Sequence, residues 1–311
     1  MARKTRKQEK SPMQKYTLKA MRQDFPNDEA CLEWLKNRRW PDGIYCETCG
    51  KVTAHHFIES RKSYSCQTCG NHVHPTADTI FHKSSTPLTL WFYAIYLIAS
   101  TRCGISAKQL ERELGVTYKT AWRMFKLIRS RLDEDGDAFG GSDDSGKPKD
   151  VEIDESYFGG KPRKDEDEPR KRGRGTSKTP VFGIVERKGR IKAVVVPDTK
   201  SKTIVPIIEE HVERDSNVHT DEYPSYNSLG DKGFNHFRIL HDLDIFVMGN
   251  VHTQTIEGFW ALVKTGIIGV YHGCSKKYLQ SYVNEYAFRY NHRMDVTPMF
   301  KTFLSRVAMA L

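Results

Sequence analysis

Long hydrophobic runs are missing from this sequence of 311 residues. Its most apolar stretch, residues 88–99, is shorter than the ~20 residues that cross a bilayer as a helix. The first residues, MARKTRKQEK, are charged and no apolar segment follows them, so we do not expect a secretory signal. These absences argue against a membrane protein and against a secreted one, and residues 88–99 are better explained as a buried helix.

Cysteine is scarce outside two CxxC pairs. Of the seven cysteines, Cys31, Cys103 and Cys274 stand alone. This distribution favours a reducing compartment with a metal site over a framework of disulfides, and therefore a cytoplasmic location. The sequence also contains no internal repeat.

Acidic residues are outnumbered by basic ones. The 49 Lys and Arg residues against 39 Asp and Glu residues leave a formal net charge of +10. A basic excess favours a polyanionic partner, although many soluble proteins share it. A chain of this length can also form two or three domains with cores of their own.

The cysteine pairs carry the strongest local motif. Sixteen residues separate Cys46-Glu-Thr-Cys49 from Cys66-Gln-Thr-Cys69, and a glycine follows each pair. Such knuckles can place four thiolates tetrahedrally around a structural Zn²⁺, and the glycines let the backbone turn back toward the metal. The alternative is that these thiols are merely buried or serve redox chemistry.

Residues 106–132 have the pattern of a helix-turn-helix. Ser106 and Thr117 are suitable helix caps, and Gly115 suits the turn between the two helices. An apolar inner face would leave four side chains available for a DNA groove and its phosphates: Tyr118, Lys119, Arg123 and Lys126. The alternative is an ordinary helical hairpin with a solvated basic face.

Three acidic residues lie where they could meet at one edge of a sheet. Asp154 and Asp221 each end a short β-branched run, and Glu257 opens a segment whose apolar residues recur at helical spacing. Clustered carboxylates repel one another unless a cation lies among them, and their hard oxygens suit Mg²⁺ or Mn²⁺. A pair of such ions can activate water and stabilise an in-line phosphoryl transfer. Taken alone, each acid could also be a turn former, a helix cap or a solvated residue.

Neighbouring residues could be mistaken for this set. Glu155 and Glu222 are adjacent to Asp154 and Asp221. Side chains alternate along a strand, so one member of each pair can face a shared site and the other cannot. Other polar residues near the acids in sequence could surround the site or simply pack elsewhere: His219, Asn250 and His252.

The segment that carries the acids alternates strands and helices. We predict helices at residues 203–212, around Glu257 and at residues 276–293. Strands are predicted at residues 151–158, 181–186, 191–196, 218–221 and 237–240. Three antiparallel strands followed by helix, strand, helix, strand and helix describe an RNase H-like mixed α/β fold. The charged residues 161–178 interrupt this order and are expected to form a mobile loop.

Four phrases of the sequence, taken together, resemble the DDE transposases of prokaryotic insertion sequences. They are VEIDESYFGGK, VHTDEYPSY, HTQTIEGFWALVKTGIIGVYH and YVNEYAFRYNHR. With the two cysteine pairs in front of them, the chain is most similar to the ISXO-type group, which joins an N-terminal zinc ribbon to an integrase-like domain. The resemblance extends over about residues 25–295.

The resemblance implies a function and a set of site residues. Asp154, Asp221 and Glu257 would be the catalytic acids that bind two Mg²⁺ or Mn²⁺ ions, and Lys264, on the helical face of Glu257, would contact DNA. The protein would be a transposase that cleaves the 3′ ends of its element and transfers them to target DNA. The ribbon and the helix-turn-helix would bind terminal inverted repeats, and the chain would act as a dimer or higher multimer at the prokaryotic nucleoid.

Two other classes of protein are compatible with the same residues. A non-catalytic regulator could use the ribbon and the helix-turn-helix alone to bind DNA. An RNase H-like nuclease could hydrolyse nucleic acid without joining an end to a target. The intact set of acids argues against the first alternative, and the linked DNA-binding regions argue against the second.

The expected organisation therefore begins with a flexible basic arm and ends with a short tail. Between them lie the DNA-binding and catalytic regions. The segments are the arm (residues 1–24), the zinc ribbon with a preceding helix (25–82), the helix-turn-helix region (83–132), an acidic linker (133–150), the RNase H-like catalytic domain (151–295) and the C-terminal tail (296–311).

Overall fold

The computed structural model describes residues 11–134, 136, 138–159, 178–239 and 252–309. The chain divides into two compact units, of which the first comprises Met1–Leu132 with His292–Leu311 and the second Asp133–Asn291. The predicted loop at residues 161–178, apart from Lys178, lies outside the described residues, as does Asn250.

The first unit combines helices with a small β ribbon. Its described helices are α1 (Leu18–Asp24), α2 (Asp28–Arg39), α3 (Leu88–Ser100), α4 (Ala107–Leu114), α5 (Tyr118–Arg129) and α9 (Met299–Val307). The ribbon contains β1 (Tyr45–Cys46), β2 (Lys51–Val52), β3 (His55–Ile58), β4 (Ser63–Cys66) and β5 (His72–Val73). β1 pairs with β2, and β3, β4 and β5 form a separate antiparallel sheet.

Helix α3 is the centre of the first unit, because apolar residues cover most of its circumference. Trp91, Phe92, Ile95 and Ile98 are fully buried. Helices α1, α2, α4, α5 and α9 all contact α3. As predicted, residues 88–99 belong to a buried helix. None of the helices among the described residues has the length and apolarity needed to cross a membrane.

Helices α4 and α5 have the predicted caps and turn. Ser106 Oγ accepts the backbone N–H of Gln109 at 3.1 Å, and Thr117 Oγ1 accepts that of Thr120 at 3.3 Å. Gly115 ends α4 with φ 64°, in the left-handed region that favours glycine. The structure therefore contains the helix pair with its turn, while its use as a DNA-binding element stays a prediction.

The second unit is built on one five-stranded sheet. Its described helices are α6 (Ser201–His211), α7 (Gln254–Gly269) and α8 (Leu279–Asn291). Its strands are β6 (Asp150–Phe158), β7 (Thr179–Glu186), β8 (Ile191–Val195), β9 (Asn217–Asp221) and β10 (Asn235–Ile239). The predicted helix at residues 276–293 is divided into a short 3-10 turn, Lys276–Tyr278, and α8.

The sheet is mixed, in the order β10-β9-β6-β7-β8. β6, β7 and β8 are antiparallel, whereas β9 runs parallel to β6, and β10 parallel to β9. The mixed α/β fold is thus confirmed, with three antiparallel strands followed by α6 and β9. The helix expected between the last two strands is replaced by two short 3-10 turns, Pro224–Tyr226 and Gly230–Lys232. β6 is the central strand, so residues on both of its faces are covered.

Each face of the sheet packs against a different layer. On one face, Val151 and Ile153 join an apolar cluster with residues of α6, which we call the α6 layer. On the other face, Val181 and Val185 pack with residues of α7 and α8, which we call the α7 layer. The alternation of side chains along β6 therefore decides which layer each of its residues enters.

The predicted acidic linker is packed into the second unit. Phe139 is 5% exposed and belongs to the α6 layer. Gly140 has φ 85°, and a Cβ on it would lie 2.1 Å from Ser216 Oγ, so this position requires glycine. The abundance of Gly, Asp and Ser in residues 133–150 therefore reflects tight turns as well as exposure to solvent.

Both ends of the chain contain helices where the sequence analysis expected an arm and a tail. Helix α1 begins after Thr17, whose hydroxyl caps it, and its Met21 is buried. Helix α9 buries residues at helical spacing, namely Phe300, Phe303, Leu304 and Val307. A short periodic segment near a terminus is easily overlooked, because its only stabilising partner is distant in sequence.

Candidate active site and metal centre

Asp154 and Asp221 lie on neighbouring strands. β6 and β9 are parallel, and Val151 pairs with Val218. Continuing this register by three residues along both strands sets Asp154 beside Asp221. Since Val151 and Val218 face the α6 layer, both acids face the opposite side of the sheet, where α7 lies.

Glu257 lies in the first turn of α7. Its Oε1 accepts a hydrogen bond of 2.8 Å from Thr253 Oγ1, and Asp221 Oδ1 accepts one of 3.0 Å from the backbone N–H of Tyr223. Among the described residues, only the four cysteines of the CxxC pairs form a group whose ligand atoms all lie within 4.8 Å of one another. The three acids therefore share one side of the sheet as separate carboxylates, each with its own surroundings.

Their negative charges nevertheless affect one another. Burial, followed by the charges of Glu155, Asp221 and Glu257, raises the pKa of Asp154 to about 8. A carboxyl group in this environment is stabilised by a proton or by a cation. A hard divalent cation would offset both the burial and the repulsion, so this set of oxygen donors fits Mg²⁺ or Mn²⁺.

Glu155 is directed away from this set. Its Oε2 accepts a hydrogen bond of 2.7 Å from the hydroxyl of Tyr226, a fully buried member of the α6 layer. Burial and the charge of Glu155 raise the pKa of Tyr226 well above its usual value. Strand alternation thus separates Asp154 from its neighbour, as the sequence analysis expected.

A fully buried carboxylate, Glu152, fixes the start of α7. It accepts hydrogen bonds from the backbone N–H groups of Thr255 and Ile256 at 2.8 and 3.1 Å, and from Thr255 Oγ1 at 2.9 Å. A carboxylate at this end of a helix satisfies free N–H groups and interacts favourably with the helix dipole. Because Glu152 precedes Asp154 by two residues on β6, it ties the strand of Asp154 to the helix of Glu257.

Arg187 neutralises this buried charge. Its Nε lies 2.7 Å from Glu152 Oε1, and its Nη2 donates a hydrogen bond of 2.8 Å to the carbonyl oxygen of His252. His252 Nδ1 is itself 3.1 Å from Glu152 Oε1. A buried ion pair is tolerated when such additional polar contacts surround it. We call Glu152, Arg187 and Thr255 the α7 clamp.

Glu152 and Arg187 are not predicted as site residues from the sequence, although a signal is present. Asp150, Glu152 and Asp154 alternate with apolar residues, which gives one face of β6 three acids. In a central strand, such a face must find cations or hydrogen-bond donors. His219 is one of them, since its Nε2 lies 2.8 Å from Asp150 Oδ1.

Breaking the clamp should destabilise the second unit. We expect Glu152→Gln to lower the free energy of unfolding by about 3 kcal/mol, because Arg187 keeps only its longer contact with Asp150, at 3.5 Å, and the amide nitrogen that replaces one oxygen cannot accept hydrogen bonds. Thr255→Ala, the matched control, removes one hydroxyl and should cost about 1 kcal/mol. Native-state hydrogen exchange of β6 and α7 measures both effects. Equal effects of the two variants would contradict the central role of Glu152.

The four cysteines predicted as zinc ligands come together in the ribbon. Their Sγ atoms all lie within 4.8 Å of one another, with Cys46 3.6 Å from Cys69 and Cys49 3.9 Å from Cys66. A tetrahedral zinc site with Zn–S bonds of about 2.3 Å has sulfur-to-sulfur distances of about 3.8 Å. The cluster therefore fits a structural Zn²⁺ with all four positions filled by protein.

The electrostatics of the thiols agree with a metal site. A hydrogen bond from Thr53 Oγ1, 3.1 Å from Cys66 Sγ, lowers the pKa of Cys66 to about 5. A hydrogen bond with Cys69 is the largest cause that raises the pKa of Cys49 to about 12. Neighbouring thiols that compete in this way for protons are relieved when all of them bind one cation as thiolates.

The side chains predicted to contact DNA lie at the surface. Tyr118 is 46% exposed, and Lys119, Arg123 and Lys126 of α5 are exposed with it. Lys264 is exposed on α7. Exposure leaves these five residues available to phosphates, and their contact with DNA stays a prediction.

These features define a class of protein. A mixed sheet with acids on adjacent strands, together with a four-thiol ribbon, is typical of a nucleic-acid-processing enzyme. Residues 145–291 match the family model of the ISXO2-like transposase domain, and residues 26–72 match that of the transposase zinc-ribbon domain. The chain belongs to the ISXO2-like transposase family.

Two relatives support this assignment. A Halobacterium salinarum protein described as an uncharacterized protein in transposable element ISH50 is 27% identical over 279 residues, which cover 85% of this chain and 91% of that one. A Haemophilus influenzae protein described as an uncharacterized transposase-like protein is 35% identical over 105 residues, which cover 34% of this chain and 84% of that one.

Solved structures show a weaker likeness. A pre-cleavage Mos1 transpososome matches with a TM-score of 0.25 and 12% identity, over 71% of this chain and 79% of that chain. The Mos1 strand transfer complex matches with a TM-score of 0.22 and 10% identity, over 65% of this chain and 76% of that chain. Similarity at this level establishes no common fold.

Proposed function

We propose that this chain is an insertion-sequence transposase that cleaves the 3′ ends of its element and transfers them to target DNA. The observation that carries the proposal is the parallel pairing of β6 and β9 through Glu152 and His219, whose continuation would set Asp154 beside Asp221 on the side of α7. The clamp attaches the first turn of α7, with Glu257, to the same strand.

Asp154, Asp221 and Glu257 would hold two Mg²⁺ or Mn²⁺ ions, as the raised pKa of Asp154 favours. When bound, such ions activate water and neutralise the charge that develops on a phosphate. The carboxylates orient the ions, and the buried clamp fixes the distance between strand and helix. Lys264, two helical turns beyond Glu257, would contact a phosphate of the same DNA.

Two in-line displacements would follow one another at these carboxylates. In the first, the oxygen of water bonds to phosphorus, the bond to the 3′ oxygen breaks, and the element end is left with a 3′-hydroxyl. In the second, this hydroxyl oxygen bonds to a phosphorus of the target, whose own 3′ oxygen leaves with a proton. No covalent enzyme intermediate is needed, because each displacement is direct.

The first unit would bind the terminal inverted repeats. Tyr118, Lys119, Arg123 and Lys126 form an exposed and mostly basic face of α5, which suits phosphates and base edges. The zinc ribbon would serve as a second DNA-binding element, held together by its structural metal. Since two ends must be joined to one target, the active form would be a dimer or higher multimer on DNA at the nucleoid.

A strand-transfer assay tests this proposal. Purified, zinc-loaded protein is incubated with labelled DNA that flanks its own gene and with a plasmid target, in Mg²⁺, in Mn²⁺ or with neither cation added. Joined products that require a divalent cation support the transposase. Cation-dependent nicking without joining would indicate a nuclease instead, and tight binding without either product, even with paired ends and Mn²⁺, would indicate a regulator.

A further inference from the structure

A groove of about 840 Å³ lies within the second unit, on the strand of Asp154 and the helix of Glu257. It is lined by the end of β6, the start of β7, the second half of α7 and the segment that follows α7. Apart from Lys264, none of the residues that line this groove has a role in the proposed steps. The residues that line the groove therefore indicate which ligand it can bind.

One exposed face of α7 leads from Glu257 into the groove. Lys264 and Ile268 follow Glu257 by seven and eleven residues, and at 100° per residue both lie within about 20° of its direction. They are about 10.5 and 16.5 Å further along the helix axis. A DNA strand rises about 3.4 Å per nucleotide, so they lie about three and five nucleotides from a phosphate held at Glu257.

The rim of the groove is cationic. Lys178, Lys264 and Lys276 line it, all three are exposed, and none forms an ion pair among the described residues. The carboxylate of Glu155, the one acid in the lining, is held by Tyr226 on the other side of the sheet. The rim is therefore complementary to a chain of phosphates.

The floor of the groove is apolar. Phe158, Ile267 and Leu279 line it and are buried, whereas Ile268 is 69% exposed at the edge. Isoleucine at that exposure, directly after a buried isoleucine and one turn from a lysine, presents an apolar surface to whatever enters the groove. Nucleic-acid-binding proteins use such side chains as wedges between bases, and apolar surfaces beside cations as platforms for unpaired bases.

The wall formed by α7 is firmly held. Gly266 has no Cβ because the hydroxyl of Tyr286 occupies that space, so α7 and α8 are in close contact. The backbone N–H of Gly273 donates a hydrogen bond of 3.0 Å to the carbonyl oxygen of Ile267, which folds the following segment back onto the helix. The groove is thus presented by packed elements.

We propose that this groove receives unstacked nucleotides of a DNA strand, about three to five nucleotides from the phosphate held at Glu257. The lysines contact the phosphates, and Ile268 with the apolar floor contacts the bases. The inference rests on the proposed function for the position of that phosphate. It adds that the protein separates the strands of the DNA next to its active site.

Fluorescence of 2-aminopurine, which increases when the base leaves the stack, tests the inference. The probe is placed singly at positions one to ten from the cleaved phosphate of the element end, and full-length, zinc-loaded protein is added without Mg²⁺ or Mn²⁺ so that no chemistry occurs. We expect a several-fold increase at positions three to five and none at positions eight to ten. Ile268→Ser should abolish the increase when it is measured at a protein concentration that saturates the DNA. No increase at any position, or an unchanged increase with Ile268→Ser, would overturn the proposal.

The lysines provide a second, matched measurement. Lys276 lines the groove, whereas its neighbour Lys277 is absent from the lining and lies 5.7 Å from the ring of Tyr278. Lys276→Ala should reduce the salt dependence of binding by about one phosphate contact, and Lys277→Ala should not. Equal effects would count against the groove. If the protein unstacks these bases but never joins an end to a target, the proposed transposase function is contradicted and the proposed role of the groove is supported. If it joins ends without unstacking these bases, the proposed role of the groove is contradicted and the transposase function is supported.

Discussion

Asp154→Asn, Asp221→Asn and Glu257→Gln are each expected to lower the rate of strand transfer by roughly 1000-fold, equivalent to about 4 kcal/mol of transition-state stabilisation. Each change keeps the shape of the side chain and removes one negative charge from a set that would hold two divalent cations. The rate is measured under single-turnover conditions with pre-bound DNA, so that weaker binding does not contribute.

The matched control for this prediction is Glu222→Gln. Glu222 follows Asp221 directly, so it removes the same charge at almost the same place in sequence. β9 ends at Asp221, so Glu222 lies in the bend that follows and not on the strand face that carries the acids, and activity should remain within a few-fold of wild type. A large loss with Glu222→Gln, or activity retained with Asp221→Asn, would show that the wrong acid of the pair had been chosen.

Loss of activity in Asp154→Asn should not come from loss of folding. The pKa of Asp154 is raised from 3.8 to about 8, so between these values the folded chain holds a proton that the unfolded chain releases. The free energy of unfolding therefore falls as pH rises through this window when no cation is present. Asn in place of Asp154 removes this dependence, and the variant should be at least as stable as wild type at pH 8.

Much of the candidate site follows from local sequence. Asp154 and Asp221 end β-branched runs that do form strands, and Glu257 opens a helix, because hydrophobic periodicity distinguishes a period of two from one of 3.6. The zinc ribbon could also be predicted from the local sequence, because each CxxC pair forms a tight turn together with the glycine that follows it. Gly50 and Gly70 adopt φ of 65° and 74°, and their N–H groups donate to the carbonyls of Cys46 and Cys66.

The contacts that unite these elements were not predictable in the same way. Glu152 meets Thr255 across 103 residues of sequence, and Arg187 joins them from the turn after β7. The sequence shows that a buried acid needs cations or hydrogen-bond donors around it. It does not show which residues supply them, because that depends on the register of the sheet. Phe139 and α9 illustrate the same limit, since the surfaces that bury them lie far away in the chain.

Zinc is expected to decide whether the ribbon folds at all. The strands β1 to β5 are two to four residues long, and most of the ribbon's buried residues are cysteines and serines or lie at its contact with α2, as Tyr64 does. An element with so little apolar core depends on its metal, and structural Zn²⁺ contributes about 10–16 kcal/mol in small metal-dependent folds. Elemental analysis should find one zinc per chain in wild type.

Cys46→Ser should remove this zinc and abolish binding to the element ends, while Cys103→Ser, which changes a cysteine outside the cluster, should retain both. Hydrogen exchange locates the effect, because β1 to β5 should lose protection in Cys46→Ser and the sheet from β6 to β10 should keep it. The sheet has its own apolar layers on both faces, so it does not need the metal. Full protection of the ribbon in Cys46→Ser would mean that the four thiols are packed for another reason, and the ribbon would then have to recognise DNA without a metal.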